Sequence, residues 1–478
     1  MKRRSTILFT FLLVLSGASA RAVPQFTLVK QLSPIDPEGD AGEFADIWAE
    51  GDYAYLGCWD EAGVAIFNIA DPANAFYVTH YTAANNGQFA DVKVVNGIGY
   101  FASNNGGGLH VVDLSDPTNP TLLTRVDSSD DGHNRIHNIS IAGDFLYQAD
   151  GRSNVVKVFD LSTPSAPTFV RNINTVDSRI HDITALGDRL YTSGFAGKTE
   201  IYDVSNMSAT QAPNLLGSKN TGSASHSNWV SADGSLLVSA RETSNGGLRL
   251  YDISDPSNWI LRSTITGAAI GINASSAHNP VIDGDILYAS WYEAGVEAFD
   301  ISDPANPVRI AHYDTYPGGG FQYGAWGVYP LLGGDRILVS DYEGGLFILS
   351  SSGIDYGDWA ADYPGTGLAD PHADFDSDRL SNNQERLFGL DPTSSSSMDP
   401  FTAPLDPEAG TFSYSRRATP WEITYTVWTS SDLETWTEDP GAIQTAGTPL
   451  GGVETVAVTL SPALLSGPRL FVKVGAAE

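Results

Sequence analysis

One phrase recurs seven times between residues 63 and 353 and constrains this chain more than any other feature. It consists of glycine, an apolar β-type run, Asp, an aliphatic residue, Ser, then Asp-Pro. It reads Gly63-VAIFNIADP-Ala73, Gly108-LHVVDLSDP-Thr118, Val155-VKVFDLSTP-Ser165 and, degraded, Thr199-EIYDVSNMS-Ala209. It sharpens again as Gly247-LRLYDISDP-Ser257 and Gly295-VEAFDISDP-Ala305, and ends truncated as Gly345-LFILSSSG. The equivalent positions Asn68, Asp113, Asp160, Asp203, Asp252, Asp300 and Ser350 lie 45, 47, 43, 49, 48 and 50 residues apart. A Tyr- or Leu-centred strand, usually after a Gly-Asp turn, precedes each copy, at Tyr55, Tyr100, Tyr147, Tyr191, Leu237, Tyr288 and Leu338. Each unit thus holds four short strands. In the sixth they are expected at 280–283, 286–291, 296–301 and 308–312. The apolar period is two, rich in β-branched and aromatic residues, with no helical periodicity. Asp-Pro after the third strand reverses the chain, because Pro fixes φ and Asp bonds the following backbone.

Four strands at this period predict an all-β fold of β-propeller blades. A single blade leaves both faces uncovered, so neighbours stack and ring closure hides the end faces. Six full units plus a seventh lacking its last strand predict seven blades over residues 21–353. The isolated strand-like segment Phe26–Ser33 is expected to complete the last one. Cys58 is the only cysteine, so no disulfide staples the ring.

The repeated Ile-x-Asp-x-Ser-Asp-Pro phrase, and the stretch FADIWAEGDYAYLGCWDEAGVAIFNIADP, resemble the LVIVD-repeat family of bacterial and archaeal surface proteins. The resemblance spans residues 45–350 and implies a propeller in an extracellular setting. It implies no settled reaction.

The N-terminus agrees with export. Lys2, Arg3 and Arg4 precede an apolar run from Ile7 to Leu15 and the small residues Ala18-Ser19-Ala20, the pattern of a secretory signal peptide over residues 1–20. No later stretch is apolar enough to span a membrane. The mature chain is expected outside the cell, on its surface or in the periplasm. Formal net charge is −31, from 57 Asp+Glu against 26 Lys+Arg, and cleavage deepens it to −34. Such a chain repels nucleic acid and anionic lipid.

Candidate site residues gather at one mouth of the channel. The innermost strand of each unit begins with a pair: Ala45-Asp46, Ala90-Asp91, His137-Asn138, His181-Asp182, His226-Ser227, His278-Asn279 and Ala325-Trp326. The loops between second and third strands emerge on the same face and carry Trp59-Asp60-Glu61, Trp291-Tyr292-Glu293 and Asp341-Tyr342-Glu343. Asp46, Asp91, His137, His181, Asp182, His226 and His278 are candidates for a polar ligand or a transition metal, since imidazole and carboxylate suit Zn, Cu, Ni or Fe. The rim candidates are Trp59, Asp60, Glu61, Trp291, Tyr292, Glu293, Asp341 and Glu343. The competing reading makes the pairs turn or inter-blade residues, because structural positions repeat and catalytic ones rarely do. Strand positions alternate sides, so the sequence leaves the imidazoles' direction open. No nucleophile elbow, His-Glu-x-x-His or phosphate loop occurs.

Composition changes after Gly353, and residues 354–405 read as a linker. Within it Asp374, Asp376, Asp378, Asn382 and Glu385, with the Leu380 carbonyl, have EF-hand-loop spacing for calcium. Arg379 stands where such loops carry glycine. The segment resembles thrombospondin type 3-like calcium repeats, which implies a structural spacer. Residues 406–478 are expected to form a small β-sandwich-like module. The leading functional expectation is an exported, calcium-stiffened interaction protein binding a protein or glycan at the channel mouth. The alternatives are a metal-dependent extracellular enzyme using the four histidines and a passive structural surface protein.

Overall fold

The computed structural model describes residues 25–33, 43–60, 63–82, 87–272, 276–333, 335–351, 370–418, 423–449, 453–466 and 469–477, with Val23 and scattered positions from 356 to 368. The expected signal peptide and Glu61 lie outside the described residues. No helix among them is long and apolar enough to cross a membrane.

Seven four-stranded antiparallel sheets, consistent with propeller blades, fill residues 27–350. In six of them the strands follow in sequence order. The sixth runs Pro280–Asp283, Ile286–Ser290, Val296–Asp300 and Val308–Tyr313, within a residue or so of the expected bounds. The repeat phrase explains this uniformity. Asp113, Asp160, Asp252 and Asp300 each accept from the backbone N–H two residues on, closing an Asx turn that sends the chain outward. The phrase-opening glycine has φ near +80° in Gly295 and Gly345, and a Cβ there would stand 2.0 Å from the Tyr313 carbonyl oxygen or 2.3 Å from that of Leu32. Glycine is therefore required where the third strand passes the fourth.

The seventh sheet departs from sequence order in the way the repeat count demands. Thr27–Leu32 pairs antiparallel with Gly345–Ser350 as the outermost strand. Even its register shift, between Leu28 and Lys30, reproduces the bulge at this seam in the other sheets, as between Ala298 and Phe299. Just before it, Phe26 donates its N–H to the His312 carbonyl, and its buried ring stacks on Tyr288 of the sixth sheet. The innermost strands touch in cyclic order, the seventh, Ala325–Tyr329, meeting the first, Phe44–Glu50. Apolar clusters lie between adjacent sheets; one joins Val296 and Ala298 to Val328, Val339 and Phe347.

The C-terminal part is a β module of two sheets, one of four strands and one of three, sharing a core of Phe412, Tyr414, Tyr425, Val427, Val456 and Val458. Its first strand is Phe401–Asp406, ahead of the expected boundary at 406. That strand carries Pro404 and pairs irregularly with Thr411–Arg417, which kept it from reading as a strand. The region ahead of it is more than a tether. Tyr356, Trp359 and Leu368 form a small apolar cluster, and the Arg386 guanidinium lies over the Tyr356 ring at 5.9 Å.

Candidate functional site at the channel mouth

A bulge decides where the strand-start pairs point. Pairing with the second strand skips His181 in the fourth sheet, Ala90 in the second and Trp326 in the seventh. An extra residue at a bulge re-aims its side chain and is common beside functional sites. The pairs consequently split. The four histidines that open pairs, together with Trp326, the second member of the seventh pair, line a cavity of about 580 Å3 at one mouth. The second members Asp91, Asn138 and Ser227 serve the neighbouring sheet. Asp91 accepts from Asn138 Nδ2 at 2.9 Å and from the Ile139 N–H at 2.7 Å. Asn138 accepts from the Ile183 N–H at 2.9 Å, and Ser227 donates to the His278 carbonyl at 2.5 Å.

Asp46 and Asp91 accordingly stand apart from the imidazoles. Both bind the buried Lys93 ammonium, which lies 3.2 Å from Asp46 Oδ2. Burial pushes the Asp91 carboxyl up, and Lys93 opposes it. This group ties neighbouring sheets together.

The four histidines converge. Successive ring centroids from His137 to His181 to His226 to His278 are 4.2, 4.2 and 4.4 Å apart. Two overlapping groups have one donor atom per residue, all within 4.8 Å of one another: His137, His181, Asp182 and His226; and His226, Glu242 and His278. Ligand atoms around an ion with bonds of about 2.0–2.2 Å lie well inside that spread, so small rotations suffice. Burial, then the neighbouring His181, holds His137 down at about 3. Burial likewise holds His226 and His278 below the ordinary imidazole value. Neutral imidazole is the ligating form.

Neighbouring acceptors fix which nitrogen is free. His278 Nδ1 lies 2.6 Å from the Trp326 carbonyl oxygen, which only accepts, so Nδ1 carries the proton and Nε2 the lone pair. His181 Nδ1 lies 3.0 Å from Asp182 Oδ1, with the same consequence. Glu242 Oε1 accepts from Tyr292 Oη at 2.7 Å and Gln322 Nε2 at 2.9 Å, while Oε2 lies 3.8 Å from His226 Nε2. His226 Nδ1 is buried and has no hydrogen-bond partner among the described residues. Outer hydrogen bonds of this kind orient ligands in metal sites.

Aromatic rings wall the cavity. Trp59 meets His137 edge-on at 6.3 Å and Trp326 at 5.4 Å, and Tyr342 stacks on Trp326 at 5.7 Å. The other rim candidates scatter. Trp291 is fully buried in an inter-sheet core, so it forms no platform. Tyr292 is buried against His278 and takes a left-handed φ of 42°. Asp60 accepts from the Glu43 N–H and so ties its loop to the start of the first sheet, and buried Asp341 accepts from the N–H groups of Glu343 and Gly344 and so serves a turn. Glu293 is half-buried and Glu343 exposed, and neither lines the cavity. Sequence reasoning missed Glu242, Arg179, Phe195 and the Phe321–Tyr323 loop. Glu242 had a signal, since it lies five residues past Leu237, as Glu293 lies past Tyr288 and Glu343 past Leu338.

The acidic loop is a second cluster. Asp374, Asp376 and Asp378 each place an oxygen within 4.8 Å of the others. Both oxygens of fully buried Glu385, and Oδ2 of Asp376 and Asp378, have no hydrogen-bond partner among the described residues. Burial, then Asp376 and Asp378, pushes Glu385 up to about 8. Arg379 adopts φ 86° at the glycine position and donates its N–H to Asp374 Oδ2 at 2.9 Å. Asn382, expected to ligate, instead accepts from the Phe375 N–H and donates to the Asp370 carbonyl. The helix Asn382–Phe388 is capped by Ser381 and ended by Gly389 at φ 66°. It packs on the terminal module, where Tyr425 donates to the Leu387 carbonyl.

The family model described as the LVIVD repeat matches residues 41–83, 86–128, 135–175, 243–266 and 277–315, which fall in five of the seven sheets of residues 27–350. No curated protein matches it. Among solved structures, the computationally designed Ika8 protein matches with 9% identity over 68% of this chain and 99% of its own, at a TM-score of 0.46.

Proposed function

We propose that this protein is an exported seven-bladed β-propeller that binds a transition metal at its channel mouth and presents it to a small polar molecule in the cavity above. The ligands are His137, His181, His226 and His278 with Glu242. One observation carries the reading: His181 and His278 each spend Nδ1 on a fixed acceptor, and each places a donor atom within 4.8 Å of those of its neighbours. A metal held there would supply Lewis-acid chemistry to a molecule in the cavity, which Trp59, Phe195, Trp326 and Tyr342 help to line. Elemental analysis of the purified full chain tests it. Stoichiometric zinc, copper, nickel or iron, lost in His278→Ala, is expected; background metal after loading overturns it.

The loop from Asp374 to Glu385 is proposed as a calcium site stiffening the terminal module. The unpartnered buried oxygens of Glu385 support this, since calcium takes six to eight hard oxygens. A second reading, recognition of an extracellular protein or glycan at the same mouth, is favoured by Phe321 and Tyr323, which are 46% and 41% exposed. A partner from an envelope extract that is lost on Tyr323→Ala, with metal content unchanged, would favour that reading.

A further inference from the structure

The two donor groups at the mouth share one member, His226, and meet it from opposite sides. Its Nδ1 lies 3.9 Å from Asp182 Oδ2, and its Nε2 lies 3.8 Å from Glu242 Oε2. Both distances are too long for hydrogen bonds and suit an ion between the partners. The ring is 2% exposed, and Nδ1 has no partner among the described residues, an arrangement that is costly for a buried polar atom. Each side is a nearly complete coordination set. Asp182, whose second oxygen meets Nδ1, shares its donor group with His137 and His181, and Glu242, whose Oε2 meets Nε2, shares its own with His278. His181 and His278 each have Nδ1 taken by an acceptor, which leaves Nε2 to ligate.

We propose that the mouth holds two transition-metal ions bridged by the imidazolate of His226. The inference rests on the metal-binding reading above and adds its nuclearity. A neutral imidazole has one lone pair and one N–H, so it ligates a single ion. Binding the second ion displaces the remaining ring proton to solvent, and both nitrogens then donate. The metals keep their oxidation state in this step. Two positive ions on opposite nitrogens favour the anionic ring, and Asp182 and Glu242 supply further negative charge. Glu242 belongs to one ion alone, so the two sites are separable by mutation.

Copper titration with spin counting tests this. Metal-free full-length protein, with excess calcium occupying the acidic loop, is titrated with Cu2+ and freed of loosely held copper by a weak chelator. Bound copper is measured by elemental analysis and spin by electron paramagnetic resonance. Saturation is expected at two coppers per chain, with spin intensity falling as the second binds because the bridge couples the two ions. Glu242→Gln is expected to retain one copper with full spin intensity. Saturation at one copper in the wild-type chain, or two coppers with full spin intensity, overturns the bridge and leaves the metal site standing. Two coupled coppers retained in Glu242→Gln overturn the assignment of Glu242. No bound copper, zinc, nickel or iron overturns both readings.

Discussion

The channel mouth and the loop from Asp374 to Glu385 both gather buried titratable groups, and they relieve the charge in opposite ways. Imidazole discards its charge when buried, so His137, His226 and His278 sit together neutral on a closed ring of sheets. Carboxylates discard theirs only by taking a proton, and Glu385 is pushed up to about 8. The mouth is therefore pre-formed, whereas the loop needs a cation or a proton to be comfortable. Donor type follows the same division: nitrogen for borderline metals, oxygen for calcium.

Removing a ligand should separate the two regions most sharply. His226→Ala is expected to weaken transition-metal binding by more than about 100-fold and to leave calcium binding intact. Its melting temperature should change little, because the cavity created offsets an unpartnered nitrogen removed. Competition titration with a chromophoric chelator measures the first effect and calorimetry the second. An equal loss of calcium affinity would erase the distinction.

Calcium itself should act on only one region. With extracellular-type affinities of about 10⁻⁴–10⁻³ M, millimolar calcium contributes roughly 0.4–1.4 kcal/mol. In a module of this size that raises its melting temperature by roughly 5 °C. Scanning calorimetry with calcium and with chelator should move the terminal module's transition and leave the propeller's in place.

Acid should pull the two metal-free regions in opposite directions. His137 binds its proton near 3 when folded and near 6.5 when unfolded, so its contribution to stability is full above pH 6.5 and is lost as pH falls toward 3. Glu385 binds its proton near 8 when folded and near 4.5 when unfolded, so the loop loses stability as pH rises from 4.5 to 8. Melts between pH 4 and pH 8 should show the propeller weakening toward acid and the module toward base. Added calcium should reverse the module's trend.

The smallest effect concerns Arg379. Glycine there removes the strain of φ 86° and should stabilise the calcium-bound loop by about 1 kcal/mol, read as a modest gain in calcium affinity. A loss would mean that the Arg379 side chain supports the loop.

Much of the propeller was legible because the phrase-opening glycine, the turn-forming aspartates and the buried tyrosines repeat together. The closing strand was legible by counting, since one unit lacked a fourth strand and one strand lacked a unit. The histidines' shared position was legible too, but their direction was not. A period of two gives alternation, and the bulges at His181, Ala90 and Trp326 break it. Trp59 and Trp291 read alike in sequence, yet one walls the cavity and the other fills a core between sheets, a difference set by how neighbouring sheets stack. Phe321 and Gln322 belong to the stretch leading into the seventh sheet, where the repeat spacing is longest and equivalence to other units is lost.

Anomalous diffraction from crystals of the full chain, recorded at the absorption edge of the metal that copurifies or is loaded, addresses the central claim most directly. The account predicts density among His137, His181, His226 and His278, within bonding distance of His226. A bound transition metal found only elsewhere, with the four imidazoles bare, would contradict it.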